Sequence, residues 1–237
     1  MNPEKPMPIP DPSADPVIAY YEELAPRYDA DRFGNSYGRV IHDQERRLLS
    51  RWLHGLDPTF ILDLACGTGR MLMLAGQGAD PSPGMLEAAR RQFPDRKLHL
   101  ADARALPLPE KSLDAVFCLH LFMHLGVDEA AAIGREVRRV LRPGGRFVLD
   151  VPSALRRRLR PRPPVAPAWH GASAYTRGQV LGLFPEFELR DRVGLLGVPL
   201  QRLPPRTRPW AAPLDRGFGR IFPDLSAYTF YHLERRP

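Results

Sequence analysis

Residues 60–70, Phe60-Ile-Leu-Asp-Leu-Ala-Cys-Gly-Thr-Gly-Arg70, constrain this chain more than any other stretch. The apolar run suits a strand covered on both faces, as in a parallel sheet, and it ends in an acid and a turn of small residues. Gly67 and Gly69 mark a place where the backbone turns sharply or lets a ligand approach, because glycine tolerates positive φ and carries no obstructing side chain. The residues after Arg70 are rich in Met, Leu and Ala, so the segment reads strand, glycine loop, helix. A nicotinamide-dinucleotide fold would call for Gly-x-Gly-x-x-Gly, and the position three after Gly69 is Leu72.

The same alternation continues downstream. Residues 82–93 read as a helix with Ser82 as N-cap and Pro83 at its first position. Strands are expected at 97–101, 113–119 and 145–151, with a helix at 128–141 before the last of them. Strands and helices alternating at these lengths imply parallel βαβ units with right-handed crossovers. A helix near 176–184 and strands at 187–195 and 227–233 complete the pattern. One step is unusually short, for only residues 70–79 separate Gly69 from Asp80. A stunted helix at 70–75, which descends about 9 Å, a turn at Gly76 and Gln77, and a vestigial strand at 78–80, which climbs back about 10 Å, would close it.

Before this core, residues 1–16 carry Pro3, Pro6, Pro8, Pro10, Pro12 and Pro16, a density that favours extended, disordered chain. Residues 17–53 turn helical in two pieces joined by a turn-rich link at 31–38. Residues 156–167 and 198–223 are crowded with proline and arginine and read as loops, the candidates for substrate selection.

Asp63-Leu-Ala-Cys-Gly-Thr-Gly69 resembles the first motif of the class I S-adenosylmethionine-dependent methyltransferases, and three later segments match that family in order: 78–86, 101–109 and 140–149. The resemblance implies an α/β, Rossmann-like, doubly wound sheet of seven mostly parallel strands with an antiparallel edge strand, here with a shortened second strand. It implies one methyltransferase domain over 17–237: an N-terminal helical lid at 17–55, a cofactor-binding core at 56–151 and a substrate-side segment at 152–237. The implied cofactor is S-adenosyl-L-methionine. By the same resemblance Ala65, Cys66, Gly67 and Gly69 wrap its methionyl and adenosyl parts, and Asp63 holds the ammonium end. Asp80 would accept hydrogen bonds from the ribose hydroxyls, and Asp102 would take the adenine amino group, with the Ala103 amide nearby. Cys118, closing the fourth strand, is carried over to the cofactor as well.

His120 and His124 follow that strand and lie four apart, so one helical face could present both as candidate general bases, with His124 the deeper in register. Tyr20, Tyr21, Tyr28 and Tyr37 are candidates to line the mouth, where aromatic faces also attract a sulfonium. The expected reaction is methylation of a hydroxyl or carbon of a small molecule. Two alternatives remain. The net charge of +7, carried almost wholly by arginine, suits methylation of RNA or protein, and the short link before Asp80 suits a binder without turnover. No Asn/Asp-Pro-Pro-Tyr tetrapeptide follows the fourth strand, where the chain reads Cys118-Leu-His-Leu, and no specific nucleic acid is expected. Two cysteines without CxxC spacing suggest neither a disulfide framework nor a metal site, and a reducing cytoplasm is the expected location. No apolar run reaches the length of a membrane span, and prolines stand where a signal peptide would have its apolar core.

Overall fold

The computed structural model describes residues 15–161, 171 and 173–237. The expected disordered tail therefore lies outside the described residues, apart from Asp15 and Pro16. Asp15 caps the first helix by accepting from the Val17 and Ile18 amides, and Pro16 opens it. The expected pair of N-terminal helices is three: α1 (Pro16–Leu24), α2 (Tyr28–Phe33) and α3 (Ser36–Trp52), the last capped by the Asn35 side chain.

Seven strands follow: β1 (Ile61–Leu64), β2 (Gln77–Asp80), β3 (Lys97–Leu100), β4 (Leu113–Cys118), β5 (Leu141–Pro152), β6 (Phe187–Leu195) and β7 (Tyr228–Arg235). They form one sheet in the order β3-β2-β1-β4-β5-β7-β6. The first five run parallel, and β7 enters antiparallel between β5 and β6. The expected fold class holds. The strand order reverses between β1 and β4, so a crevice opens beyond their carboxyl ends. Successive residues feed opposite faces of the sheet, as a period of two requires. Leu62, Leu64, Val116 and Cys118 join one buried cluster, while Ile61, Ala115 and Phe117 join the other.

Helices α4 (Pro83–Gln92), α5 (Val127–Val140), α6 (Ala154–Leu159), α7 (Arg177–Leu183) and α8 (Arg208–Ile221) cover these faces and ends. The compressed link behaves differently from the expectation of a short α-helix: residues 72–74 make a single 3-10 turn, and β2 starts at Gln77. Two glycines absorb the missing length. A Cβ on Gly76 would stand 2.7 Å from the Pro58 carbonyl oxygen, and one on Gly78 would stand 2.9 Å from the Cys66 sulfur. Met71, Leu72, Ala75, Leu86 and Ala89 then fill the face a full helix would cover.

The arginine- and proline-rich stretches are also more regular than expected. Ser153 caps α6 across the start of the first, whose later residues lie outside the described ones. The second contains α8 despite Pro213 and three of the poorest helix formers around it. Tertiary contacts decide: the buried Asp215 carboxylate accepts from the Leu196 and Val198 amides, and Gly219 packs directly on the Gly194 backbone of β6. No helix among the described residues is long and apolar enough to cross a membrane.

Candidate active site

The crevice beyond β1, β2 and β4 holds two joined cavities. One, of about 110 Å³, lies against Gly67, Asp80, Ser82 and Met85. The other, of about 280 Å³, runs on to Asp102 and Ala103. They share Ala65, Pro81, Leu121 and His124, and α1 roofs both with Val17 and Ile18. Ala65 turns into this space with a left-handed φ of 57°, a strained conformation for a residue with a Cβ, and Gly67 follows at 55°.

Asp80 closes β2 with its carboxylate fixed from two sides, accepting from the Gly67 amide at 2.9 Å and the Ser82 amide at 2.9 Å. Burial pushes its carboxyl up to about 6, against the lowering effect of those two amides. Asp63 is also buried, at 4 % exposure, and accepts no hydrogen bond from any described residue. Burial drives its carboxyl well above the usual range, with Arg70 pulling the other way. Asp102 lies on the cavity wall with Oδ1 taking the Arg104 amide and Nε and Oδ2 taking Nη2. Burial would raise its carboxyl, but Arg104 brings it below its ordinary value.

Cys66, Gly69 and Cys118 are placed otherwise than the resemblance implied. None lines either cavity, and neither does Asp63. Cys118 is wholly buried in the core of β4, and Cys66 packs its sulfur toward Gly78. Gly69 has a φ of 88°, and a Cβ there would also meet Leu72 and Ala89, so both its conformation and its packing call for glycine.

A third cavity, of about 400 Å³, adjoins the first and shares Tyr21, Tyr28 and His120 with it. Its other walls include Arg32, Phe33, Tyr37, Met123 and Tyr228. Tyr21, Tyr28 and Tyr37 thus stand where the sequence suggested, while Tyr20 lines neither cavity and its hydroxyl accepts from Arg32.

The two histidines differ sharply in setting. The His124 Nδ1 accepts from the Gly171 amide at 3.2 Å, and its Nε2 lies 3.0 Å from the Tyr21 hydroxyl. In the neutral ring this assigns the proton to Nε2, so His124 donates to Tyr21 and leaves the phenol proton facing the cavities. Burial raises the Tyr21 phenol above its ordinary value, which keeps it protonated. His120 has both ring nitrogens against carboxylates: Nε2 is 2.8 Å from Glu45, and Nδ1 is 3.3 Å from Asp150. Its φ is 61°, and its backbone amide donates a hydrogen bond to Asp150 Oδ1 at 2.6 Å. Burial disfavours the imidazolium, but Asp150 and Glu45 outweigh that and raise His120 above its ordinary value. With both nitrogens held against carboxylates, His120 is poorly placed to take a proton from a ligand.

Glu45, on α3, is the hub missed by sequence reasoning. It bonds Arg70 at 2.6 Å as well as His120. Burial would raise its carboxyl, yet Arg70 and His120 bring it down to about 2. Its signal was an acid inside the apolar stripe of Ile41, Leu48, Leu49 and Trp52, and Asp150 gave the same signal inside the apolar run of β5. Glu22 on α1 was missed too. Its carboxylate accepts from the Ser82 hydroxyl and from the Gly84 amide at 2.9 Å, which ties the roof to the N-terminus of α4. Among the described residues no group of three or more His, Cys, Asp and Glu side chains is placed to hold a metal ion.

Residues 62–149 match the family model described as a methyltransferase domain. That match and the sheet order agree with the resemblance to the class I S-adenosylmethionine-dependent methyltransferases noted in the sequence. Among curated relatives, the demethylmenaquinone methyltransferase of Thermus thermophilus is 38 % identical over 141 residues, 54 % of this chain and 62 % of that protein. The ubiquinone/menaquinone biosynthesis C-methyltransferase UbiE of Campylobacter jejuni is 31 % identical over 149 residues, 56 % of this chain and 62 % of the relative. The chain thus spans about three fifths of the length of these relatives. Among solved structures, the geranyl diphosphate C-methyltransferase of Streptomyces coelicolor, in complex with Mg2+, geranyl diphosphate and S-adenosyl-L-homocysteine, aligns with a TM-score of 0.60 at 17 % identity, over 95 % of this chain and 100 % of that one. A Thermotoga maritima S-adenosylmethionine-dependent methyltransferase aligns with a TM-score of 0.59 at 18 % identity, over 89 % and 99 %. At these identities the structural likeness establishes the fold.

Proposed function

We propose that this protein transfers a methyl group from S-adenosyl-L-methionine to a hydroxyl or carbon of a small aromatic or enolic molecule. The observation that carries the reading is the sharing of Tyr21, Tyr28 and His120 between the β1-loop cavity and the aromatic chamber, which puts two binding spaces on either side of one wall.

The residues fit the cofactor. Both Asp80 oxygens retain a lone pair beside the cavity for ribose hydroxyls, whereas Asp63 lies behind the cavity walls and would reach an ammonium end only through water or a backbone contact. Oδ2 of Asp102 keeps acceptor capacity for an adenine amino group. Ala65, Gly67 and Ala103 leave the space between them open. The cofactor supplies an electrophilic methyl on a sulfonium. This chain supplies alignment and exclusion of water, which can account for most of the acceleration of such a displacement. Tyr21 donates its phenol proton to the acceptor oxygen and fixes its orientation, and His124 holds Tyr21 in that pose. No described histidine offers a free basic nitrogen toward the chamber, so the acceptor is one whose own proton leaves readily, such as a phenol or enol. The relatives named for quinone methylation support a ring of this kind.

Calorimetric titration with S-adenosyl-L-methionine tests the cofactor half of the proposal. Asp80→Ala should weaken binding by about 1–3 kcal/mol through loss of charged hydrogen bonds. Unchanged affinity in a folded variant would remove Asp80 from the site, and no binding by the unaltered protein would remove the activity.

A further inference from the structure

Two carboxyl-terminal segments of the sequence are charged in one sense only. Residues 151–185 contain no acid, and residues 192–223 contain one, Asp215. Asp215 is wholly buried and points inward, spent on the Leu196 and Val198 amides. Two acids border α8, and both are already paired with arginine: Asp191 with Arg51 and Arg220, and Asp224 with Arg192. On the outer side of the helix Trp210, Leu214, Gly217 and Ile221 recur at helical spacing and form one stripe. Trp210 is 83 % exposed, Leu214 71 % and Ile221 70 %, and Phe222 continues the stripe past the helix end. Leu155 and Leu159 of α6 are exposed as well, and α6 meets α8 through the turn at Pro223–Leu225. Arg158, Arg160, Arg202, Arg206 and Arg216 are exposed around these apolar side chains and make no ion pair among the described residues.

We infer that α8, together with α6, docks on an anionic phospholipid surface, with the Trp210–Leu214–Ile221 stripe in the headgroup region and the surrounding arginines on lipid phosphates. Exposed Trp, Leu and Ile flanked by arginine is the pattern of a helix lying in a membrane interface, where apolar burial and attraction to anionic lipid add. A second copy of the chain is the poorer partner, because an isologous contact would set these arginines against their own counterparts. A nucleic acid would use the arginines but leave the tryptophan and aliphatic side chains uncovered. Leu196 links this face to the chamber, since its amide bonds Asp215 and its side chain lines the chamber wall. If the proposed activity holds, the acceptor class is extended to apolar molecules that partition into lipid, but the docking itself does not depend on methyl transfer.

The test is co-sedimentation of the full chain with vesicles of mixed phosphatidylglycerol and phosphatidylcholine, against pure phosphatidylcholine. Binding is expected to the anionic vesicles alone and to fall as salt rises. Each of Leu214→Glu and Ile221→Glu should weaken it by about tenfold or more, and Arg216→Gln by about fivefold. These side chains are exposed, so circular dichroism should be unchanged, and Val127→Glu on α5, at an equally bare apolar site on the other side of the sheet, should bind as the unaltered chain does. Vesicles should also shift the tryptophan emission to the blue, and Trp210→Phe should abolish that shift. Absence of binding to anionic vesicles at low salt overturns the inference. So does vesicle binding that Leu214→Glu leaves intact, a dimer in light scattering that Leu214→Glu splits, or RNA binding without vesicle binding.

Discussion

Glu45 occupies a place on α3 that the helical period of Ile41, Leu48, Leu49 and Trp52 reserves for an apolar side chain, and the polar wall of the chamber is organised around it. Removing its charge strands two partly buried partners, Arg70 and His120. Glu45→Gln should therefore destabilise the fold by about 3–5 kcal/mol in urea denaturation near neutral pH. The sign of its pH dependence follows from a carboxyl lowered from 4.5 to about 2. Its contribution is complete above the unfolded value and is lost as pH falls through the folded one, so the gap between the two proteins should narrow on acidification. His120 works in the opposite sense. Its raised value adds stability that is present below about 6.5 and is lost as pH rises through the folded value, so His120→Asn should cost most at mildly acidic pH. The candidate ligands Ala65, Gly67, Asp80 and Ala103 were legible because each closes or closely follows a strand within a short motif. The Glu45–Arg70–His120–Asp150 cluster was not, because its members are brought together only by the sheet and by α3 lying across it.

Among the elements, β1 through β5 could be read from apolar runs and turn residues, with boundaries shifted at their ends. β5 is the largest shift, starting at Leu141 where the sequence suggested 145, since Lys111 and Ser112 bond the end of α5 and draw the chain into register early. The compressed link shows where local reasoning fails. The residues after Gly69 have good helix formers, but the chain must reach β2 at once, and a 3-10 turn is all that fits. Gly76 is the pivot of that turn. Gly76→Ala pushes a methyl into the Pro58 carbonyl and the Thr59 backbone, and should cost about 1–3 kcal/mol in thermal or urea denaturation. The α8 segment fails in the opposite direction. Its prolines and glycines argue for a loop, and only contacts remote in sequence, Asp215 to Leu196 and Gly219 to Gly194, make it helical.

At the scale of the whole molecule, the sheet gathers buried carboxylates at one end. Asp63, Asp80 and Asp150 all close or nearly close a strand there, and burial raises all three. A carboxyl raised from 3.8 to about 6, as in Asp80, makes the ligand-free fold less stable as pH rises through that window, by on the order of 3 kcal/mol. A ligand that donates hydrogen bonds to the ionised group recovers part of the loss. S-adenosyl-L-methionine affinity should accordingly rise from about pH 5 and level off above about pH 6, and calorimetry across that range checks it. An affinity flat in pH would mean that no ligand reaches Asp80.

The contact between Glu22 and the start of α4 has a consequence in time as well as in space. The roof helix α1 is fastened by a carboxylate to Ser82 and Gly84, just beyond the strand end that carries Asp80. A molecule seated beneath α1 that leaves past the helix must break that clasp. Release past α1 is then expected to be slowed by the lifetime of the hydrogen bonds to this one side chain. In stopped-flow release experiments Glu22→Gln should shorten that residence several-fold while changing the equilibrium affinity less, which would make this protein's pace a property of its door.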